Sequence, residues 1–559
     1  MSRTTTAVVL ALLAALPATA RAHPQPAGGP PEGTYLVLYA HGGSVAAAHR
    51  AVARAGGRIV RENRAVGVAV VRGTKAFPAR ARGAAVAGVA RNRTIGRVPR
   101  EARRFRVEQQ RDAGGVTGTT AVPRARTGEP FGALQWDMKL IGATPSGSYR
   151  YAQGSHKVRV GVIDTGIDGT HPDIKPNFDK RLSRNFTTDD PVIDGPCASD
   201  IDGSCQADPD NVDEDGHGTH VAGTIGAALN GLGMAGVAPK VDLVNLRAGQ
   251  DSGYFFLMPT VDALTYAGDN GIDVANMSYY IDPWLFNCAH NAADSPAERH
   301  DQQVIRAAAD RALNYAHDHG VTLIAAEGNE ATDLGHPKTD DTSPDYPNQD
   351  TSPHHRVVSN KCVSEPSEGP HVINVSATGP DLRKAFYSDY GTERTGVAAP
   401  GGDSRSYFGT SRYRQPRGTE VLAPYPKNVG VAAGDINRKT GKVTGLHKGF
   451  VLRDCKGKIC GYYQYLQGTS MAAPHAVGVA ALIIARHGTP DRKHGGLKMA
   501  PDKVRKLLFA TATKHACPAR EPFTYPGEPS SENARCLGTR GFNGFYGHGI
   551  VNALTAARR

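Results

Sequence analysis

The first 196 residues of this 559-residue chain contain no cysteine; all eight lie beyond them. No two form a Cys-x-x-Cys pair, and no His-x-His cluster stands among them, which argues against a zinc centre. An even number of thiols in an exported chain reads as a disulfide framework. Spacing favours Cys197–Cys205, Cys455–Cys460 and Cys517–Cys536, leaving Cys288 and Cys362. Eight cysteines allow about 105 pairings, so proximity is the only guide. Long apolar runs are also lacking. The N-terminal run Ala7–Leu16, between Arg3 and the small-x-small step Ala20-Arg21-Ala22, falls short of the roughly 20 residues that a span needs. Its layout is that of a secretory signal over residues 1–22. A buried N-terminal helix is opposed by Pro17 and the Pro/Gly stretch Pro24–Pro31. The expected setting is therefore secreted and extracellular, with no membrane span.

Acidic side chains are sparse between residues 50 and 126, where 19 Lys/Arg face 4 Asp/Glu for a net charge of +15. The whole chain carries +12, and everything after residue 126 sums to −4. The basic stretch contains no folded nucleic-acid reading motif, so nucleic acid is not an expected partner. With 40% hydrophobic and 21% charged residues the balance is that of a globular protein long enough for several domains.

After a polar linker the pattern predicts strands at 35–39, 58–62, 66–71 and 94–98, with helices at 44–55 and 78–90. Gly56-Gly57 ends the first helix. That β-α-β-β-α-β order is the split βαβ, ferredoxin-like pattern of a small α+β module over residues 33–100. Residues 101–130 lack an apolar period and read as an exposed linker. Beyond it, strands are predicted at 158–163, 241–246, 272–276, 321–326 and 371–376. Helices are predicted at 217–229, 260–269, 302–318, 470–486 and 501–511. Such alternation argues an α/β fold with a parallel sheet flanked by helices. Loop-like insertions are expected at 183–214, 331–368 and 402–465.

Three segments carry the chemistry. Val162-Ile163-Asp164-Thr165-Gly166 puts a carboxylate at the end of an apolar strand. Asp215-Gly216-His217-Gly218-Thr219-His220 opens a helix with a histidine between glycines. Gly468-Thr469-Ser470-Met471-Ala472-Ala473-Pro474-His475 opens an apolar helix with a serine. A neutral serine needs a base within reach and a third group to orient that base. Ser470 alone reads as a helix cap, and His217 with His220 at i, i+3 could suggest metal. There is no third ligand and no His-Glu-x-x-His pattern. Ala472 stands where a nucleophile elbow needs its second glycine. The order Asp, His, Ser is the subtilisin order, and the octapeptide around Ser470 matches that family's nucleophile motif along its length. The chain resembles a secreted subtilisin-like serine protease, over roughly residues 131–401 and 466–556.

The resemblance implies a set of roles. Asp164, His217 and Ser470 would form the triad, with Asp168, His171 and Pro172 in a supporting loop and His220 beneath the base. Ala325-Ala326-Glu327-Gly328-Asn329 resembles the oxyanion segment, with Asn329 as donor. Residues 33–100 would be an inhibitor-like pro-domain, 101–130 a linker holding the processing site, and 131–559 the catalytic domain. After Asn276-Met277-Ser278 the family usually continues Leu-Gly-Gly; here Tyr279-Tyr280-Ile281-Asp282-Pro283 changes both the pocket and the edge that pairs with substrate. Substrate-binding residues expected here are Ser278, Tyr279, Tyr280, Glu327 and Gly328. Glu327 reads two ways: a charge at the pocket floor favouring a basic residue before the cut, or an exposed or Lys/Arg-paired side chain. Asp173 stands at a calcium ligand of the family, although the loop Leu229–Met234 is about one residue short of the matching carbonyl loop. The acidic run Asp208–Asp215 reads as a further ion site or a solvated loop.

The leading function is a self-processing serine endopeptidase acting on protein or peptide substrates, with its own pro-segment as intramolecular inhibitor. A monomer is expected, no cofactor is needed for the chemistry, and a structural calcium is an expectation of the resemblance. The competing class is a relative that keeps the fold without catalysis, or a maturation peptidase dedicated to one partner.

Overall fold

The computed structural model describes residues 32–92, 125, 128–345, 354–445 and 448–559. The signal segment, the expected strand at 94–98 and most of the 101–130 linker lie outside these residues.

The N-terminal module runs β1 (Glu32–Tyr39), α1 (Val45–Arg54), β2 (Arg58–Asn63), β3 (Val68–Thr74), α2 (Phe77–Arg80) and β4 (Val86–Arg91). Its sheet is antiparallel with order β2-β3-β1-β4. The order of elements is the expected one, but the second helix is a single turn. Residues 86–90, predicted helical, belong to the fourth strand. The Ala-rich sequence favours helix locally, and pairing of Leu36 with Ala90 and Val37 with Val89 along β1 overrides it. Period-2 alternation divides β1 between two cores. Tyr35, Val37 and Tyr39 pack under α1 with Val52 and Phe77, whereas Leu36 and Leu38 face the rest of the protein.

From residue 128 a second body follows. After α3 (Trp136–Ile141) come β5 (Arg159–Ile163), the short β6 (Arg184–Asn185), α4 (His217–Gly226), β7 (Asp242–Arg247), α5 (Leu257–Asp269), β8 (Val274–Met277), α6 (Pro296–Asp318) and β9 (Thr322–Ala326). A two-residue hairpin, β10 (Thr339–Asp340) with β11 (Arg356–Val357), precedes β12 (Ile373–Thr378) and β13 (Thr395–Pro400). Seven strands form one parallel sheet in the order β13-β12-β9-β8-β5-β7-β6. Every residue of β5, β8 and β9 is buried, as expected of parallel strands covered on both faces. Helix α6 starts earlier than predicted because Ser295, Pro296 and Glu298 make a capping box, Ser295 Oγ accepting from Glu298 N at 3.2 Å.

The insertion at 402–465 is not a loop. It holds β14 (Val421–Pro424), α7 (Lys427–Ala432), β15 (Val451–Lys456) and β16 (Ile459–Leu466), paired antiparallel in the order β14-β16-β15. Tyr463 and Tyr465 face a core with Phe131 and Met234; Tyr462 faces a second one with Tyr425, Ile436 and Val451. The next helix, α8 (Thr469–His487), runs through the centre of the body. Among the described residues it alone is long and apolar enough to cross a membrane, and it is buried as a core helix. Helix α9 (Pro501–Thr511) packs beside it.

The outer face of the N-terminal sheet lies on α5 and α6. Leu36, Leu38, Val68, Val70 and Ala90 join Val261 and Val304 in one apolar cluster. Arg61 Nε donates to Asp262 Oδ2 at 2.7 Å, and Asn63 Nδ2 to Asp262 Oδ1 at 2.8 Å and Thr265 Oγ1 at 2.7 Å. A Cβ on Gly88 would come within 2.6 Å of Val304 Cγ2, so this strand meets α6 closely because it lacks a side chain there.

All four disulfides are formed: Cys197–Cys205, Cys455–Cys460 and Cys517–Cys536 as expected, and Cys288–Cys362, the two left over.

Candidate active site

The expected site residues gather at the carboxyl ends of three neighbouring strands, where open α/β sheets place their ligands. Asp164 follows β5, Ser278 follows β8, and Gly328-Asn329 follow β9. Helices α4 and α8, which carry His217 and Ser470 in their first turns, pack against each other.

Asp164 is fully buried and His217 is 5% exposed. The Asp164 Oδ1 to His217 Nδ1 distance is 2.7 Å, and Oδ1 also accepts from Thr165 N at 2.8 Å. The Asp164 main-chain carbonyl accepts from Ala248 and Gly249 N–H groups at 3.0 and 3.1 Å. A carboxylate held in this way fixes the ring orientation and the tautomer of the imidazole. The approach of the two loops depends on glycine: a Cβ on Gly218 would stand 2.1 Å from the Gly166 carbonyl oxygen.

Beneath this pair lies a residue that sequence reasoning missed. Asp213, 1% exposed, accepts from Gly216 N (2.8 Å), Asp215 N (3.1 Å), Thr219 N (3.0 Å) and the hydroxyls of Thr219 (2.6 Å) and Thr165 (3.2 Å). It ties the Asp164 loop to the start of α4. In the acidic run it read as an ion ligand or a solvated charge, and it is neither; nothing in the run distinguished it from its neighbours. Burial raises its carboxyl above the usual range, with Asp215 adding to the effect. His220, on the next turn, is buried, its Nε2 3.2 Å from the Val421 carbonyl oxygen. Burial pushes it down to about 3, with a smaller contribution from His217.

Ser470 is 3% exposed. Pro474 lies inside α8 and has no N–H to give the Ser470 carbonyl four residues back. The hydroxyl of Ser278 donates to that carbonyl at 3.2 Å and itself accepts from Asn276 Nδ2 at 2.9 Å. Ser470 Oγ lies 3.5 Å from the Ser278 carbonyl oxygen. Ser278, expected among the substrate-binding residues, thus also anchors the nucleophile turn. Thr469 does the same for Asn329, whose Oδ1 accepts from Thr469 N and Oγ1, both at 2.9 Å. That commits the oxygen end of the amide to the nucleophile turn. Gly328 (φ +127°) could not carry a side chain, since its Cβ would meet Asp389 Oδ2 at 2.1 Å. At the far side of α8, buried His475 bridges the Met471 carbonyl (2.8 Å) and Asp137 Oδ2 (3.1 Å).

The remaining expected residues divide. Tyr279 is stacked on Phe255 at 4.1 Å between ring centroids, and the Tyr280 hydroxyl donates to Asp345 Oδ2 at 3.1 Å. Glu327 is 1% exposed, so it is not a solvent-facing charge; its Oε1 accepts from Thr395 Oγ1 at 2.6 Å, and burial drives its carboxyl well up. Asp173 is buried and receives hydrogen-bond donors rather than facing acceptors. Asn230 Nδ2 donates to Oδ1 (3.1 Å), and Met234 N (3.2 Å) and the Tyr463 hydroxyl (2.8 Å) donate to Oδ2. This donor set does not fit a cation, which calls for oxygen lone pairs directed inward. In the acidic run, Asp208 pairs with buried Arg247, which holds Asp251 at 2.7 Å, so a cationic side chain already stands among those carboxylates.

Comparison with known proteins gives the family. Residues 155–549 match the subtilase (Peptidase_S8) family model, and the chain belongs to that family: it is a subtilisin-like serine endopeptidase. It is 25% identical to subtilisin DY from Bacillus licheniformis over 72% of this chain and 91% of the relative. It is 27% identical to fervidolysin from Fervidobacterium pennivorans over 69% of this chain and 41% of the relative. The fold is similar to that of the epidermin leader peptide processing serine protease from Staphylococcus aureus. The TM-score is 0.61 at 21% identity, covering 94% of this chain and 98% of the other.

Proposed function

We propose that the chain hydrolyses peptide bonds through an acyl-enzyme, with Ser470 as nucleophile, His217 as base and Asp164 as the group that orients it. The observation that carries this reading is the buried 2.7 Å contact between Asp164 Oδ1 and His217 Nδ1 beside the Ser470 helix. His217 takes the Ser470 hydroxyl proton as Oγ bonds to the scissile carbonyl carbon. The same proton passes to the leaving amine as the C–N bond breaks, and water repeats the sequence to release the acid. Asp164 stabilises the imidazolium without taking its proton. The Asn329 amide and the Ser470 N–H serve the oxyanion. Loss of such a side-chain donor from a subtilisin costs about 10²–10³ in kcat, and Asn329→Ala is expected to lose a similar factor.

Ser278, Tyr279, Tyr280 and Gly328 form the walls that meet substrate, and Glu327 lies in the interior behind them. Residues 32–92 act as the inhibitor-type pro-segment: this module covers α5 and α6 and precedes the catalytic body. The cut that separates them falls before Glu129, because Glu129 and Phe131 are 6% and 2% exposed within the catalytic body. Eight paired cysteines and the signal-like N-terminus support export.

Ser470→Ala tests the proposal. It is expected to abolish peptide hydrolysis and labelling by a serine-directed phosphonate in a folded protein, and undiminished turnover would reject it. A peptide-library cleavage profile separates a broad protease from a dedicated maturation enzyme, which the Tyr279-Tyr280 departure keeps in view.

A further inference from the structure

The loop Leu229–Met234 follows α4, the helix that begins at His217, so whatever fixes this loop also fixes the far end of the His-bearing helix. At this loop the family resemblance places an ion, and the residues here do not fit one. The positions around it are instead filled from the insertion sheet. Tyr463 on β16 donates its hydroxyl to Asp173 Oδ2 at 2.8 Å. Lys456 at the end of β15 places its ammonium 2.9 Å from the Asn230 carbonyl oxygen. Asp454 on β15 accepts the Gly233 N–H at 2.9 Å. From the other side Glu129 Oε1 accepts Gly231 N at 3.1 Å, and the Gly233 carbonyl accepts Phe131 N at 2.6 Å.

The fit is close. A Cβ on Gly233, which has φ +50°, would fall 1.9 Å from the Tyr463 hydroxyl, so the tyrosine stands directly against the loop backbone. Its ring meets Phe131 and His171 edge-on at 5.2 and 5.3 Å. The same sheet reaches the near end of α4. The Val421 carbonyl on β14 faces His220 Nε2, and Asn428 Nδ2 on α7 donates to the Asp213 carbonyl at 3.1 Å.

We propose that the insertion sheet β14–β16 does here what a bound cation does in such a loop. Tyr463 and Lys456 supply the hydrogen-bond donors and the positive charge, and the sheet braces both ends of the His217 helix without a divalent ion. The donors can be of this kind because Asp173 is an acceptor on both oxygens and the loop carbonyl of Asn230 meets an ammonium.

The test is thermal unfolding of the full-length Ser470→Ala chain, which cannot digest itself, in excess EGTA and in millimolar calcium. The parent is expected to melt at the same temperature in both. Tyr463→Phe keeps the ring and removes the donor. It is expected to lower the melting temperature by about 2–6 °C, the size of one hydrogen bond to a buried carboxyl in a domain this large. Lys456→Met is expected to lower it by less, since Lys456 is exposed. Calcium stabilisation that Asp173→Asn abolishes would overturn the proposal, and so would a Tyr463→Phe chain that melts like the parent. Calcium stabilisation that survives Asp173→Asn, together with a loss in Tyr463→Phe, places the ion elsewhere and supports the brace.

Discussion

Pro474 explains more of the site than its place in a motif suggests. By lacking an N–H it releases the Ser470 carbonyl, and Ser278 takes that carbonyl over at 3.2 Å. Ser278→Ala therefore removes a buried donor, and kcat is expected to fall about tenfold with KM little changed, as one lost hydrogen bond implies. Ser278→Thr, which keeps the hydroxyl, is expected to recover most of the rate; equal rates for the Ala, Thr and parent proteins would dismiss the role. His220 gives a second prediction. Its pKa in the folded protein lies near 3, below the ordinary value of 6.5, so it folds as the neutral ring. The stability it contributes is complete above pH 6.5 and is lost as pH falls toward 3, a tenfold difference in proton affinity corresponding to about 1.4 kcal/mol. His171, pushed down to about 4 by burial, acts in the same direction. Melting temperature measured from pH 7 to 4 should fall less steeply in His220→Asn than in the parent, although that variant starts lower. Parallel curves would contradict the assignment.

Disulfides give the prediction at the scale of elements. Cys288–Cys362 joins residues 74 apart and Cys455–Cys460 residues 5 apart. Loop entropy gives about 4 kcal/mol for the first and about 2 kcal/mol for the second. Double Cys→Ala variants should therefore melt in that order, the Cys288/Cys362 pair losing more; the reverse order would point to strain or residual structure instead. The same elements show what the sequence discloses. Five of the seven parallel strands, β5, β7, β8, β9 and β12, were legible because both faces are buried and most of their residues are apolar, while the two-residue β6 and the Thr/Gly/Pro-bounded β13 were not; the segments around Asp164, His217 and Ser470 stood out because small residues crowd each one into a motif. The strand at 86–91 was not legible. Its alanines favour helix and Gly88 a turn locally, and only β1 alongside makes it extended. The insertion sheet was hidden by its Gly, Pro and Tyr content, although the alternation Tyr463, Tyr465 against Tyr462 is a strand period. Asp213 and Thr469 were illegible for another reason: their importance lies in contacts with segments 48 and 140 residues away.

In the molecule as a whole, the N-terminal module lies against α5 and α6, and the chain leaves it near Arg91 to enter the catalytic body by Gly128. A segment covalently joined to the body presents its own peptide bonds to the site at an effective concentration that dilution does not change. The first cut is therefore expected to be intramolecular, with a rate independent of protein concentration. Release of the severed segment is expected to be a separate step that charge opposes. Residues 50–126 carry +15, and the chain beyond carries −4, so the separated segment is attracted to the body it has left. The half-buried contact of Arg61 with Asp262 adds to that attraction, and salt weakens the longer-range part that acts between exposed charges. After the cut, activity should consequently emerge sooner at high ionic strength, while the rate of the cut itself changes little. N-terminal sequencing and mass analysis of the wild type beside Ser470→Ala checks the first step: the wild type should give a body beginning before Glu129, and Ser470→Ala should keep its N-terminal segment. Cleavage of Ser470→Ala at the same bond, in a preparation free of other proteases, would rule out self-processing. A lag before activity that salt leaves unchanged would show instead that the apolar face of Leu36, Leu38 and Val70, not charge, governs release.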